Sequence, residues 1–393
     1  MGHANQSNKS RLKFSLVDPS DKILTMCGLK DLSISQLLVL ASRFQLDGTA
    51  TSAEPFGNGN VNDTFLLITD CGHSYTLQRI NHDVFKDPVS LMDNFARVTR
   101  HLSQKNTDGQ TTLNTLVLVP ALDGSSYIIG EEGNYWRVTE YVPNGLSLEV
   151  PQSREHAYEA ARAFGDFQYQ LRDLPGDPLI ETIPDFHNTE SRYHAFLRAV
   201  EADLCQRASE AADLISFAKE NEHLATLIRY ANFPTRTVHN DTKLNNVLLH
   251  ETTGVGLCVV DLDTVMPGCA LHDFGDLVRT SACSSEEDEP DISQIHFLPD
   301  RFSALVEGYL CGVCDLLESV EVEHLAEAPQ VITYELALRF LTDFLLGDTY
   351  FKVKRPGHNF ERARAQFQLL RSMQEYASQM KSTVSSCLTA DPA

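Results

Sequence analysis

A two-lobed α+β fold, with a β-rich N-terminal lobe and a mainly helical C-terminal lobe, follows from three features of the 393-residue sequence. Up to Tyr141, short runs rich in β-branched and aromatic residues alternate with Gly, Asn and Asp turns, the pattern of an antiparallel sheet. Beyond Pro143-Asn-Gly145 the apolar spacing lengthens to the helical period. Within the helical part, Thr237 to Asp263 sets polar residues around two short apolar runs and reads as a β-hairpin. These features predict a partly disordered extension over 1–30, an N-terminal lobe over 31–142 and a C-terminal lobe over 143–393.

Taken in order, Ser33 or Ser35 caps a first amphipathic helix carrying Leu37, Leu38, Ala41, Phe44 and Leu46. Gly57 and Gly59, with Asn58 and Asn60, form a tight loop before a strand over Thr64 to Ile68. Such glycines suit a plain hairpin turn, or a backbone brought close to phosphates. Ser74 to Ile80 is a second strand, on which Arg79 is either a solvated edge residue or a phosphate-directed cation. Asp87 and Pro88 open a helix, and Asp93 on it is the candidate partner for Arg79. Strands over Thr115–Pro120, Ser126–Ile129 and Tyr135–Tyr141 follow, with Trp136 a core residue. The Tyr141–Val142 backbone lies at the change of pattern. Helices are predicted over Arg154–Arg172, Glu190–Leu204, Ala208–Tyr230 and Val331–Leu346. Arg339 and Asp343, four apart, read as a surface ion pair worth about 0.3–0.5 kcal/mol. Asp273 and Asp276 are either ordinary N-caps or braces for neighbouring loops.

The hairpin carries the chemistry. Asp241 stands five residues before Asn246 and twenty before Asp261, with His239 two residues ahead of it. Closing the hairpin brings Asn246, at the start of one strand, beside Asp261, at the end of the other. An amide oxygen and a carboxylate suit Mg²⁺, which prefers hard oxygen ligands and keeps waters and phosphate oxygens. An acid one short loop earlier is placed to receive a hydroxyl proton. This is the base and metal-ligand spacing of kinase-type phosphoryl transfer, in which Gly57, Gly59, Asn60, Arg79 and the Tyr141–Val142 backbone would serve ATP.

Composition sets bounds. A formal charge of −22 disfavours nucleic acid, whose affinity rests on cationic side chains. No apolar run reaches membrane-spanning length. The polar N-terminus lacks a secretory h-region, and Gln6 spoils a myristoylation signal after Met1-Gly2. Nine scattered cysteines fit free thiols in the cytoplasm, with Cys311 and Cys314 assigned to helix packing. The acidic run Ser284–Asp291 reads as a mobile surface loop or a lid.

His239-Asn-Asp-Thr-Lys-Leu-Asn-Asn246, Asp261-Leu-Asp-Thr-Val-Met-Pro-Gly268, Leu77-Gln-Arg-Ile-Asn81 and Arg339-Phe-Leu-Thr-Asp-Phe-Leu-Leu-Gly-Asp-Thr-Tyr-Phe351 resemble the N-acetylhexosamine 1-kinases. These belong to the aminoglycoside/choline phosphotransferase branch of protein-kinase-like enzymes, and the similarity runs from about Ser35 to Tyr376. The resemblance implies ATP- and Mg²⁺-dependent phosphorylation of the anomeric hydroxyl of N-acetylglucosamine or N-acetylgalactosamine. A monomer or weak homodimer is expected. It implies Asp241 as base, Asn246 and Asp261 as metal ligands, and Lys243 and Asp263 near the sugar or phosphoryl group. Arg339 and Tyr350 would contact the sugar. The sequence departs from kinases at large in Arg79 for Lys and Asp93 for Glu. A kinase for an aminoglycoside or choline and a pseudokinase scaffold are the rival readings. The acidic balance favours the first rival, and the presence of Asp241, Asn246 and Asp261 opposes the second.

Overall fold

The computed structural model describes residues 32–57 and 61–389. The extension predicted over 1–30, together with Gly59 and Asn60, lies outside them. The elements run α1 (Ile34–Ala41), β1 (Ala50–Pro55), β2 (Asp63–Thr69), β3 (Ser74–Arg79), α2 (Pro88–Thr107), β4 (Leu118–Val119), β5 (Ile128–Ile129), β6 (Tyr135–Glu140) and β7 (Gly145–Leu146). They continue with α3 (Arg154–Leu171), α4 (Thr189–Ala202), α5 (Ala212–Glu220), β8 (Arg236–Val238), β9 (Val247–His250), β10 (Gly256–Val259), β11 (Met266–Gly268) and α6 (Ala270–Ser281). The last are α7 (Pro299–Val313), α8 (Ser319–Glu323), α9 (Ala328–Leu345), α10 (His358–Glu375) and α11 (Ala377–Thr389).

The chain divides into two compact units, residues 1–80 with 119–139 and residues 81–118 with 140–393. Its largest sheet has the order β1-β2-β3-β6-β4, with β5 on β6. One face of that sheet covers a core of Leu37, Phe65, Leu67, Leu77, Trp136 and Val138. Ser33 starts α1 through a capping box with Gln36, a device worth about 1 kcal/mol. β1 escaped prediction because Ala-Thr-Ser-Ala-Glu-Pro lacks apolar alternation. It forms as an edge strand on β2, where its terminal Pro55 is tolerated.

The second unit is built on α3 and α7. They approach so closely that a Cβ on Gly308 would lie 2.1 Å from the Tyr158 carbonyl oxygen. The helix predicted over 208–230 is shorter: α5 stops at Glu220, and 3₁₀ turns follow at Glu222–Thr226 and Tyr230–Asn232. Asn221 explains the stop, because its side chain bonds back to the Phe217 carbonyl at 2.9 Å and competes with the helical ladder. Cys311 and Cys314 are both exposed, at the last turn and the end of α7, with Cys311 against Tyr158 of α3. No helix among the described residues is long and apolar enough to cross a membrane.

Candidate active site

β9 and β10 form the predicted hairpin, pairing Val247 with Val259 and Leu248 with Cys258. The Val260 N–H reaches the Asn246 carbonyl at 2.9 Å, so Asn246 and Asp261 emerge at one end. Asp261 takes a left-handed backbone, φ 58°, which a short polar side chain tolerates, and its residue is exposed. Asn246 is buried, and its amide donates to the Asp241 carbonyl at 2.8 Å and the Asp241 carboxylate at 3.1 Å. Orienting the NH₂ inward leaves the amide oxygen to another partner.

The loop before β9 is held from several sides. His239 is fully buried, with edge contacts to Phe164 and Phe167 of α3 at 5.5 and 5.8 Å. Its Nε2 bonds the Val260 carbonyl at 2.9 Å and its Nδ1 accepts the Asp241 N–H at 3.3 Å. Asn240 has φ 64°, and its amide donates to the Thr264 carbonyl at 3.0 Å. Gly268 of β11 makes room for this turn: a Cβ there would lie 2.5 Å from Val238 Cγ2 and 2.8 Å from Asn240 Oδ1. Asp273 of α6 accepts from the His239 and Asn240 N–H groups at 2.8 and 2.7 Å and from Gln168 at 2.6 Å, while Thr242 donates to its carbonyl. It braces the loop from inside a helix rather than as a cap. Burial pushes its carboxyl up from the usual carboxylate range, and the donors offset that only in part.

Asp241 is half-buried, with Lys243 Nζ 3.5 Å from its carboxylate. Burial would raise the Asp241 carboxyl, but the Lys243 ammonium together with His239 and Arg279 outweighs it and holds the pKa below the ordinary 3.8. Asp241 in turn raises Lys243. Asp241 is therefore ionised throughout the neutral range, with the Lys243 cation beside it.

The acidic run is tied down rather than loose. Arg279 of α6, almost wholly buried, pairs with Asp276 at 2.8 Å and with Glu287 at 2.7 Å. Asp288 meets Lys354 at 3.0 Å and His358 at 3.1 Å. Burial opposes ionisation of Glu287, yet Arg279 and then Lys243 hold its pKa at about 2.

Arg339 and Tyr350 lie together, the guanidinium carbon 5.9 Å from the Tyr350 ring and 5.4 Å from that of Phe351. Tyr350 is 70% exposed. The expected Arg339–Asp343 ion pair gives way to a different arrangement. Asp343 is buried and receives the N–H groups of Thr349, Tyr350 and Phe351 at 2.8, 2.8 and 2.9 Å, and the Asn359 amide at 2.8 Å. Helical spacing shows which side chains are neighbours on one helix, and is silent about a loop folding back onto the helix end. Asp263 is buried at 3% exposure.

In the first unit, Gly57 adopts φ 79° after β1. Arg79 bonds Asp63, its registered neighbour across β2 and β3, at 2.5–2.7 Å. Asp93, the expected partner, is exposed on α2 of the second unit. A cross-strand carboxylate with its backbone already fixed costs less entropy to engage than one on another element. Tyr141 and Val142 are half-buried just after β6.

A match to the phosphotransferase enzyme family (APH) covers residues 52–304, well over half of the sequence. The chain belongs to this family. It is a phosphotransferase on a protein-kinase-like fold. Among solved structures it is similar to an aminoglycoside phosphotransferase from Alicyclobacillus acidocaldarius, with TM-score 0.54 and 14% identity over 88% of this chain and 96% of that one. A microcompartment-associated aminopropanol kinase gives TM-score 0.53 at 14% identity, over 88% and 98%. An amicoumacin kinase, in complex with AMP-PNP, Ca²⁺ and Ami, gives 0.54 at 14% identity, over 86% and 93%. At such identities these likenesses speak for the fold alone. The family motif was legible in the sequence; the Arg279–Glu287 link and the buried His187 and Glu335 were not, since no local pattern marks them.

Proposed function

We propose that this phosphotransferase uses ATP and Mg²⁺ to phosphorylate the anomeric 1-hydroxyl of N-acetylglucosamine or N-acetylgalactosamine. The observation that carries the reading is the cluster of Asp241, Lys243 and Asn246, with Asp261 delivered to the same hairpin end. Asp241 receives the acceptor hydroxyl. A carboxylate held below its ordinary pKa is a weak base, which suits a loose transition state in which the proton leaves late and orientation matters most. Lys243 offsets charge on the transferred group. The Asn246 amide oxygen and the Asp261 carboxylate are hard donors that fit Mg²⁺, which when bound would neutralise the nucleotide phosphates. Gly57, Arg79 and the Tyr141–Val142 backbone would serve the nucleotide, with Arg79 exchanging Asp63 for phosphate. Arg339, Tyr350 and Asp263 would take the sugar, an acceptor rich in hydroxyl and carbonyl oxygens.

One observation favours a second reading. A charge of −22 would draw a cationic acceptor such as an aminoglycoside or choline. Against it, Lys243 and Arg339 would repel a polycation bound beside them. The test is ADP release from ATP and Mg²⁺ with N-acetylhexosamines, free hexoses, aminoglycosides and choline. The highest kcat/KM is expected for an N-acetylhexosamine; turnover of aminoglycosides or choline alone would replace this reading with the second.

A further inference from the structure

His187 lies just before α4 with its ring buried. Its Nδ1 is 2.9 Å from Glu335 Oε1 and its Nε2 is 2.8 Å from the Asn240 carbonyl oxygen. A carbonyl can only accept, so Nε2 carries a hydrogen. The Glu335 carboxylate also accepts, so Nδ1 carries one too, and the ring is an imidazolium. Thr189 donates to the other Glu335 oxygen at 2.7 Å, which satisfies the carboxylate. Burial would raise the Glu335 carboxyl, but His187 and, one turn along α9, Arg339 hold it at about 2. Burial would lower His187, and Glu335 more than reverses it.

The groups around His187 fit one cation and no more. Asp276 of α6 adds to the attraction. His272 of α6 packs 5.1 Å from His187, and burial first, then the His187 charge, push it down to about 3, so it stays neutral. Tyr230 packs edge-on against His272 at 5.1 Å, its hydroxyl proton held by burial. As a source of stability the arrangement is poor, because two charges lose their water. What it supplies is direction. Asn240 sits in a left-handed turn immediately before Asp241, and His187 fixes its carbonyl while Asp273 fixes its N–H.

We infer that His187 is a positioning residue. Clamped by Glu335, it locks the Asn240 peptide and so sets the direction in which Asp241 offers its carboxylate to the acceptor. The same chain of contacts joins the Arg339 turn of α9 to the catalytic loop. The inference rests on the reading of Asp241 as the base, and it assigns His187 no contact with substrate.

The experiment compares full-length wild type with His187→Gln, Glu335→Gln and the double variant. Steady-state kinetics use the best acceptor of the panel above, and hydrogen–deuterium exchange follows the 239–246 segment. Each single variant is expected to lower kcat on the order of 10²-fold, the scale of a small misplacement of a reacting group, with the KM for ATP unchanged. Exchange in 239–246 should quicken. The double variant should regain part of kcat, because a Gln side chain at 335 can donate to one at 187, which donates to Asn240. Should His187→Gln not fold, the shape-conserving Glu335→Gln carries the test. Wild-type kcat or wild-type exchange in a folded Glu335→Gln overturns the inference. If wild type turns over no acceptor, the functional reading fails, and the exchange measurement still decides this one.

Discussion

Asp273 on α6 and Asp343 on α9 solve the same problem in two different loops. Each is a buried helix carboxylate that gathers the backbone N–H groups of a neighbouring turn, His239 and Asn240 in one case and Thr349, Tyr350 and Phe351 in the other. A loop fixed through its backbone keeps its side chains available for chemistry: Asp241 in the first, Tyr350 in the second. The two differ in how well the carboxylate is satisfied. Asp343 receives four donors, whereas Asp273 receives three and its carboxyl remains raised by burial. The turn before Asp241 is thus held by a brace that itself costs stability, as expected where geometry is kept at the expense of stability.

The comparison is tested first at what the catalytic turn delivers. Asp241→Asn keeps shape and removes the proton acceptor. It should lower kcat by about 10²–10⁴-fold, the range of a general base, with ATP affinity nearly unchanged by calorimetry. Undiminished turnover would remove Asp241 from the mechanism. Asp273→Asn comes next. Its NH₂ would face an N–H donor, the turn would shift, and kcat should fall on the order of 10²-fold while Asp241 itself is intact. The sign of its pH effect follows from the raised carboxyl. Asp273 favours the folded state at pH below the ordinary 3.8, and that contribution is lost as pH rises through the higher folded value. The stability gap between wild type and Asp273→Asn, read by urea unfolding, should therefore widen as pH falls from neutral toward 4. A gap independent of pH would show that Asp273 is not buried as a strained carboxylate.

Much of the site was legible because its spacing is local. Asp241, Lys243 and Asn246 lie within six residues, and a hairpin brings Asp261 to them by pairing rules alone. The strands from Asp63 to Arg79 and the helices α2, α3 and α9 were legible for the same reason: their period shows within one window. What the sequence concealed depends on side chains meeting across long separations. His187 reaches Asn240 and Glu335 from 53 and 148 residues away, and Arg279 meets a loop whose composition reads as solvated. Charge runs look mobile when their partners cannot be seen. Arg79 shows the converse limit: its strand was placed correctly, but its partner is the cross-strand Asp63 rather than the helix acid expected from kinase spacing.

The smallest expected effect on turnover, and the sharpest on the comparison, comes from Asp343→Asn. One oxygen survives to accept the Thr349 and Tyr350 N–H groups. The new NH₂ takes the place of the oxygen that accepts both the Phe351 N–H and the Asn359 amide, so two donors lose that acceptor, at about 1–3 kcal/mol for each one left unsatisfied. The melting temperature should drop. The base and its loop lie on a separate brace, so kcat should stay close to wild type. If the Tyr350 loop contacts the acceptor, the acceptor KM should rise about tenfold, equivalent to about 1.4 kcal/mol of lost binding, with the KM for ATP unmoved. Steady-state kinetics in both substrates separate the cases. A fall in kcat equal to that of Asp273→Asn would mean the two loops act as one device, and an unchanged acceptor KM in the destabilised variant would remove Tyr350 from the acceptor site.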